Sequence, residues 1–267
     1  MAELVDAIDS KSIFSNGVPV RVRIQAPNLR KFKRLFKKSR FCVVADWIYY
    51  MLYFLLRKRS FSMTKYKKEL KKFKEFKKTY DFKQLEIIEK DNIYLCDGII
   101  IKDENGIVGE SDKWINVGYS LRGKYPKLLS NLFPYKFKFK GYTLNSIESF
   151  FQGIKFKDKK MQKKLFKYSG KEALVLQEAT TYNWKETGIV YWRGKKIKRD
   201  SKEYDDIIDE LYISALQNKF YRNIIKNCKL PIVHMIGENS KSETVFTRYE
   251  FEYMLNCLNA FLNDKVK

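Results

Sequence analysis

The chain has 267 residues, with 54 Lys and Arg against 31 Asp and Glu, and a formal net charge of +23. Because 45% of the residues are hydrophobic and 16% aromatic, the chain can bury a core and is not a disordered basic tail. The single histidine, His234, excludes histidine-rich metal sites. The four cysteines include no CxxC pair, which fits neither a zinc ribbon nor a disulfide framework, so a reducing cytoplasm is the expected compartment.

Residues 1–62 are expected to be a non-native extension. Residues 1–27 follow no helical or strand period and resemble the conceptual translation of a tRNA gene, which indicates a start codon placed too far upstream. Residues 41–56 are apolar between basic flanks, but shorter than the about 20 residues that span a bilayer. Translated non-coding sequence is favoured there, with a signal anchor or a buried helix as alternatives. We expect the functional chain to start at Met63 and to have no membrane partner.

The basic charge lies mostly at the amino-terminal end. Residues 1–80 hold 21 basic and 6 acidic side chains, and therefore 15 of the 23 net charges. A nucleic-acid partner is one explanation, and a coding bias towards lysine is another, since 42 of the 54 basic residues are Lys. Residues 63–80 are predicted to form a lysine-rich, solvated helix. Its apolar residues recur every three or four positions and form one stripe that docks on the body of the domain: Tyr66, Leu70, Phe73 and Phe76.

The remaining elements follow in chain order. Residues 92–110 are predicted to be two strands joined by an Asp-Glu-Asn-Gly turn, and residues 135–144 a hairpin that turns at Gly141. A helix capped by Asn145 is predicted next. Further helices are predicted over 158–168, 170–179, 200–227 (as one helix or two) and 247–262. A hairpin that turns at Arg193-Gly194 is predicted over 189–199, and a short buried strand over 231–237.

These elements favour one helix-rich α+β domain over residues 63–267, with its core starting near residue 90. Within it, Glu148, Phe151, Gln152 and Lys155 are spaced i, i+3, i+4 and i+7 and therefore share one helix face. Such a face suits a pocket for a polar, planar ligand. The alternative is that Phe151 packs inward while Glu148 and Lys155 form a partly exposed ion pair.

The segment around this helix resembles the NADAR (YbiA-like) family. The residues that carry the resemblance are Ser130-Asn131, Phe133-Pro134, Gly141, Glu148, Phe151-Gln152 and Lys155. Weaker matches follow at Gly170 to Ala173, at Lys219-Phe220 within a helix, and at residues 234–251, which resemble the tail of some phage-like members. The resemblance covers residues 120–262. The Gly-Arg pair that family members carry before their conserved tryptophan is absent here.

The resemblance implies an α+β NADAR-like domain that hydrolyses an N-glycosidic bond. Because the sequence contains no GxxxxGK[ST], GxGxxG, HExxH or GxSxG motif, no metal or other cofactor is expected. The implied substrate is an ADP-ribosylated guanine or a phosphoribosylamino-pyrimidine intermediate of riboflavin synthesis, free or as a modified nucleic acid. Glu148 would stabilise the oxocarbenium-like sugar and orient or deprotonate water. His234 is a candidate proton donor to the leaving base, with a structural role as the alternative.

The other implied site residues bind substrate. Ser130 and Asn131 would contact the ribose, and Gln152 a base or sugar edge. Phosphate would be held by Lys155 with Arg193 or Arg199, and the base would stack on Trp184 or Trp192, with Phe151 as further stacking surface and Lys219 as a further contact. The acidic turn formed by Asp205, Asp206, Asp209 and Glu210 is a weaker source of a second carboxylate. A module that binds ADP-ribose or NAD without turnover and a basic nucleic-acid-binding protein remain the alternative functions.

Overall fold

A computed structural model of the chain describes residues 65–178 and 183–264. Predictions for residues 1–62 therefore lie outside the described residues. The helices are α1 over residues 65–79, α2 Tyr125–Leu129, α3 Ile147–Gly153, α4 Lys159–Leu165, α5 Gly170–Glu178, α6 Trp184–Thr187, α7 Lys202–Ala215, α8 Lys219–Asn227 and α9 Arg248–Asn263. The strands are β1 Ile87–Lys90, β2 Ile93–Cys96, β3 Ile99–Asp103, β4 Gly106–Ile107, β5 Ile115–Asn116, β6 Phe137–Phe139, β7 Tyr142–Leu144, β8 Ile189–Trp192, β9 Lys195–Lys198 and β10 Ile232–Val233.

The strands form one antiparallel meander, β1-β2-β3-β4, and three two-stranded sheets, β6-β7, β8-β9 and the parallel pair β10-β5. Four two-residue hairpin turns have positive φ at both positions: Asp91-Asn92, Asp97-Gly98, Lys140-Gly141 and Arg193-Gly194. Such turns match the right-handed twist of the flanking strands. The predicted turns at Gly141 and at Arg193-Gly194, and with them the α+β class, are confirmed.

Two predicted boundaries differ from the structure, and the stretch predicted as one helix or two is resolved as two. Residues 92–110 hold three strands, because a second turn at Asp97-Gly98 precedes the predicted Asp-Glu-Asn-Gly turn. The helical stretch 200–227 is two helices, α7 and α8, separated where the Asn218 side chain accepts hydrogen bonds from the first turn of α8. The buried strand ends at Val233, because the next backbone N–H groups donate to side chains, Glu252 and Asn116, instead of a ladder.

The predicted N-cap of α3 was wrong by one residue. Ser146 is the cap, and its hydroxyl accepts the backbone N–H of Ser149 at 3.0 Å. Asn145 instead donates its side-chain amide to the carbonyl of Lys167. Because Ser146 is fully buried, the cap also fixes where α3 enters the core.

Helix α1 docks on the body through the predicted stripe. Phe73 is fully buried in the main core, and Tyr66, Leu70 and Phe76 pack against that core. The same core is filled by α3, α7, α8 and α9, and it supports one wall of the site described below. In the part of the chain that the structure describes, no helix is long and apolar enough to cross a membrane.

Candidate functional site

The first turn of α3 is tied to the loop that carries Asn131. The backbone N–H of Glu148 donates to the carbonyl of Asn131 at 2.9 Å, and the Asn131 side-chain oxygen accepts a hydrogen bond from the buried Tyr212 hydroxyl at 2.9 Å. These bonds use the backbone of α3 and a tyrosine of α7 to fix the loop. Consequently the side chains of Asn131 and Glu148 project from one rigid region, although they are 17 positions apart in the sequence.

Polar side chains of α3 and of Lys155, which follows the end of the helix at Gly153, form a chain of hydrogen bonds. Gln152 donates its amide N–H to Glu148 Oε1, and the Lys155 ammonium donates to Gln152 Oε1 at 2.6 Å. The same ammonium lies 5.6 Å from the centroid of the Trp184 ring. The helix spacing expected from the sequence therefore places an acid, an amide and a lysine in contact, with the amide between the two charged groups.

The environment of Glu148 shifts its proton affinity. Burial raises the pKa of the Glu148 carboxyl above its ordinary value, while the hydrogen bond from Gln152 and the charge of Lys155 oppose that rise. Burial is the largest influence because it penalises the ionised form. A carboxyl with a raised pKa is a stronger base than an exposed one and is better suited to accept a proton from water.

Glu148 lines a cavity with a volume of about 420 Å³. Eight of the residues that the sequence proposed for the site line it together: Ser130, Asn131, Glu148, Phe151, Gln152, Lys155, Trp184 and His234. They come from the loop before β6, from α3, from the start of α6 and from the segment after β10. A cavity of this volume is within the range of small-molecule sites.

His234 is held in a defined tautomer. Its Nδ1 lies 2.8 Å from the carbonyl oxygen of Val117, so Nδ1 carries the proton and donates to that oxygen. Its backbone N–H donates to the buried carboxylate of Glu252 at 2.6 Å. Burial lowers the pKa of His234. The ring is therefore neutral and offers Nε2 as an acceptor, which disfavours the proton-donor role considered from the sequence.

An aromatic wall closes one side of the cavity. Phe151 stacks on Phe246 with centroids 5.0 Å apart and an angle of 21° between the rings. Phe246 also lies 5.8 Å from Tyr212, the tyrosine that holds Asn131. Phe151 is only 2% exposed and has its partner within the protein. It shapes the wall, and Phe246, which the sequence did not single out, is half-buried at the cavity beside it.

Trp184 is 2% exposed at the base of α6. Its indole N–H is buried and has no hydrogen-bond acceptor among the residues that the structure describes. A buried donor without an acceptor carries a free-energy cost that a bound acceptor would remove. Trp184 lines the cavity, and its indole N–H is an unsatisfied buried donor.

Four of the residues proposed from the sequence lie away from this cavity. Trp192 packs in the core between Phe139 and Phe150, at centroid distances of 5.3 and 5.5 Å. Lys219 begins α8 with an exposed side chain. None of Trp192, Arg193, Arg199 and Lys219 is among the described residues that line the cavity.

The two arginines have structural partners. Arg199 is 3% exposed and makes two parallel hydrogen bonds to the carboxylate of Glu250, which belongs to the capping box of α9. Arg193 donates to the carbonyl of Lys140 and lies over the ring of Tyr142. These contacts join β9 to α9 and the two hairpins to each other. The proposal that either arginine holds a phosphate in this cavity is therefore not retained.

The acidic turn of α7 is also occupied elsewhere. Asp209 pairs with Lys77 of α1 at 2.6 Å, Asp206 pairs with Lys74, and Glu210 pairs with Lys140 at 2.5 Å. No described residue of this turn lines the cavity, so it provides no second carboxylate there. The further carboxylates at the cavity are those of Glu238 and Glu243. Both lie in the segment 234–251, whose resemblance to the family tail was the sequence feature that could have indicated them as site residues.

Metal chemistry has no evident site here. Among residues 65–178 and 183–264, no group of three His, Cys, Asp or Glu side chains converges closely enough to hold a metal ion. The described cysteines are Cys96, Cys228 and Cys257, and all three are buried free thiols. Burial raises the pKa of each thiol, to about 11 for Cys96 and Cys228. The raised pKa disfavours the reactive thiolate.

Comparison with protein families places the cavity within a matched region. Residues 124–260 match the sequence model of the family described as Bacteriophage protein GP30.3. The matched region contains α3, α6 and the segment after β10, and therefore all eight site residues that line the cavity.

Two individual proteins are similar to the chain. A 17.1 kDa protein encoded between Gp30 and rIII of Enterobacteria phage T4 is 30% identical over 134 residues, which cover 49% of this chain and 87% of the phage protein. The NMR structure of the E. coli protein YbiA superposes with a TM-score of 0.38 at 17% identity, covering 57% of this chain and 86% of YbiA.

Proposed function

The chain belongs to the NADAR-like family of bacteriophage protein GP30.3, and on that premise we propose that it hydrolyses the N-glycosidic bond of a nucleotide-like substrate. The observation that carries the proposal is the position of Glu148, a half-buried carboxyl with a raised pKa on the wall of a cavity of about 420 Å³. The substrate classes proposed are an ADP-ribosylated guanine and a phosphoribosylamino-pyrimidine.

Polar groups around Glu148 suit a ribose. The side-chain amide of Asn131 keeps its N–H donors available while Tyr212 fixes its oxygen, so Asn131 can donate to a sugar hydroxyl. Ser130 lies beside it in the same loop, and Gln152 lies one helical turn beyond Glu148. The sugar would therefore lie between the 130–131 loop and α3, with its anomeric carbon towards Glu148.

Hydrolysis at this position needs two proton transfers, one from water to Glu148 and one from Glu148 to the departing base. As the C1–N bond breaks, its electron pair moves to the base nitrogen and positive charge develops on the sugar ring, which the Glu148 carboxylate stabilises. Water adds to C1 and gives a proton to Glu148, and that proton passes to the departing base nitrogen. The raised pKa of Glu148 supports both transfers, since the group must accept and then release a proton.

Residues opposite Glu148 would orient the base. Neutral His234 accepts a hydrogen bond at Nε2, which suits an N–H of the base. Phe246 and Phe151 supply an apolar wall for a planar ring. Base recognition would thus use a hydrogen-bond acceptor and an aromatic surface.

The proposal is tested by incubating the full chain with ADP-ribosylated guanosine and with phosphoribosylamino-pyrimidine and measuring release of base or sugar. We expect release from one of them, and Glu148→Gln should lower its rate by about 10² to 10⁴-fold. Glu243→Gln is the matched control, because Glu243 also lines the cavity but is half-exposed and paired with Lys185. Circular dichroism checks that both variants fold.

An active Glu148→Gln variant would overturn the assignment of that residue. Failure of the wild-type chain to cleave either substrate, while it still binds ADP-ribose, would instead favour a binding module without turnover. The two outcomes separate the role of one residue from the class of the protein.

A further inference from the structure

Two lysines meet at one tyrosine at the mouth of the cavity. Tyr119 is half-buried and lines the cavity. The ammonium of Lys127 lies 5.0 Å from the centroid of the Tyr119 ring, and that of Lys171 lies 4.8 Å from the same centroid. Each distance is within the range of a cation–π contact. Neither lysine belongs to the residues that the sequence proposed for the site.

The fold brings these lysines together from separate elements. Lys127 is in the last turn of α2 and Lys171 is the second residue of α5. Helix α5 begins against the cavity wall because Gly170 lies on the backbone of Leu132, where a Cβ atom would be 2.4 Å from the Leu132 Cα. Only glycine permits so close an approach. Lys171 is therefore held beside the loop that carries Asn131.

The cavity lining offers little positive charge to an anion. In its described part there are three carboxylates, Glu148 and the exposed Glu238 and Glu243, of which Glu243 pairs with Lys185, and one lysine, Lys155, whose ammonium donates to Gln152. An anion is disfavoured beside these carboxylates. Lys127 and Lys171 are exposed, and within the described ranges neither is in an ion pair with a carboxylate. Lys127 and Lys171 thus supply positive charge at the mouth, whereas the described lining of the cavity has one lysine.

We propose that Lys127 and Lys171, held against Tyr119, bind a phosphate group of the ligand at the mouth of the cavity. The inference rests on the proposed function for the position of the sugar and base inside. An uncharged sugar and base enter the cavity, while the phosphate stays at the mouth between two ammonium groups. The phosphate is a monoester in a free nucleotide and a diester in a nucleic-acid strand.

The test measures binding and not turnover. Dissociation constants of the full chain are determined by calorimetry at low ionic strength for guanosine 5′-monophosphate, for the dinucleotide GpG and for guanosine. Two double variants with the same loss of charge are compared, Lys127→Gln/Lys171→Gln and Lys163→Gln/Lys164→Gln. Lys163 and Lys164 are exposed lysines of α4 that do not line the cavity.

We expect the mouth variant to weaken binding of a phosphorylated probe by about tenfold, while guanosine binding and the α4 variant change by less than about twofold. Weakening of the monophosphate supports a free nucleotide as the source of the phosphate, and weakening of GpG alone supports a strand. Equal losses in both double variants, equal losses for guanosine, or no preference of the wild-type chain for phosphorylated probes would each overturn the proposal. Base release is not part of this measurement, so hydrolytic inactivity contradicts only the proposed function.

Discussion

At the scale of single residues, the raised pKa that suits Glu148 to proton transfer also lowers the stability of the folded chain at neutral pH. Burial raises its pKa, so the folded chain keeps the proton to a higher pH than the unfolded chain, where the pKa is near 4.3. A raised pKa contributes stability fully below the unfolded value, and that contribution is lost as the pH rises through the folded value. At neutral pH the ionised form of Glu148 therefore costs folding free energy.

Removing that charge should stabilise the protein. We expect Glu148→Gln to raise the free energy of unfolding at pH 7 by about 1 kcal/mol, which is roughly 2–4 °C in Tm for a domain of this size, with little change at pH 4. Thermal unfolding of both chains at the two pH values measures the difference. Glu243→Gln, which removes a half-exposed charge, should change stability by less than about 0.5 kcal/mol at either pH. This account would be contradicted if the gain in stability of Glu148→Gln over wild type were smaller at pH 7 than at pH 4.

Residue contacts within one helix could be predicted, and contacts between distant segments could not. Glu148 and Gln152 share a face by helix geometry and are joined by a hydrogen bond, and Lys155, just past the end of α3, donates to Gln152. The tautomer of His234 depends on a carbonyl 117 positions away, and no local pattern reports it. The same holds for Arg199, which donates hydrogen bonds to Glu250, 51 positions along the chain, instead of to a ligand.

At the scale of elements, α1 shows how an amphipathic stripe is completed by charge. The apolar stripe docks on the core, and the lysines that flank it, Lys74 and Lys77, pair with the acidic turn of α7. Asp209 in that turn is buried, and its pKa is raised by burial against the opposing charge of Lys77. The turn that the sequence offered as a catalytic carboxylate is therefore part of the contact between α1 and α7.

The docking of α1 should depend on Phe73. We expect Phe73→Ala to lower the free energy of unfolding by about 3–5 kcal/mol, because Phe73 is fully buried and its ring meets Phe261 at 5.4 Å. Phe220→Ala is the matched control, since Phe220 is also on a helix but is 53% exposed, and should cost less than about 1 kcal/mol. Urea unfolding monitored by tryptophan fluorescence compares them. Similar losses for the two variants would show that α1 is not held by its stripe.

Element boundaries were less predictable than the elements themselves. The turn at Asp97-Gly98 lies between two apolar runs, and the sequence reading joined those runs into one strand. The break between α7 and α8 follows from the Asn218 side chain, which accepts from the N–H groups of Phe220 and Tyr221. An asparagine inside a helical period permits either outcome, and packing against the rest of the core decides between them.

At the scale of the whole molecule, the positive charge is divided between internal and external roles. Among the described residues, Lys74, Lys77 and Lys140 are used in ion pairs with α7. Other lysines of α1 face solvent, and Lys68, Lys71 and Lys72 are exposed. A surface with unpaired lysines attracts nucleic acid without sequence preference, and its affinity falls steeply with salt. The net charge alone therefore predicts this weak association, whatever occupies the cavity.

The two kinds of binding should separate by mutation. We expect Lys68→Gln/Lys71→Gln/Lys72→Gln to reduce the salt dependence of binding to random-sequence single-stranded DNA, by roughly 2 in the slope of log K against log salt. Binding of guanosine 5′-monophosphate should stay unchanged, because no described residue of α1 lines the cavity. Fluorescence anisotropy over a salt series measures the slope, and calorimetry measures the nucleotide. An unchanged slope would place the DNA contacts elsewhere on the surface, and a parallel loss of nucleotide binding would show that the solvent face of α1 and the cavity act as one site.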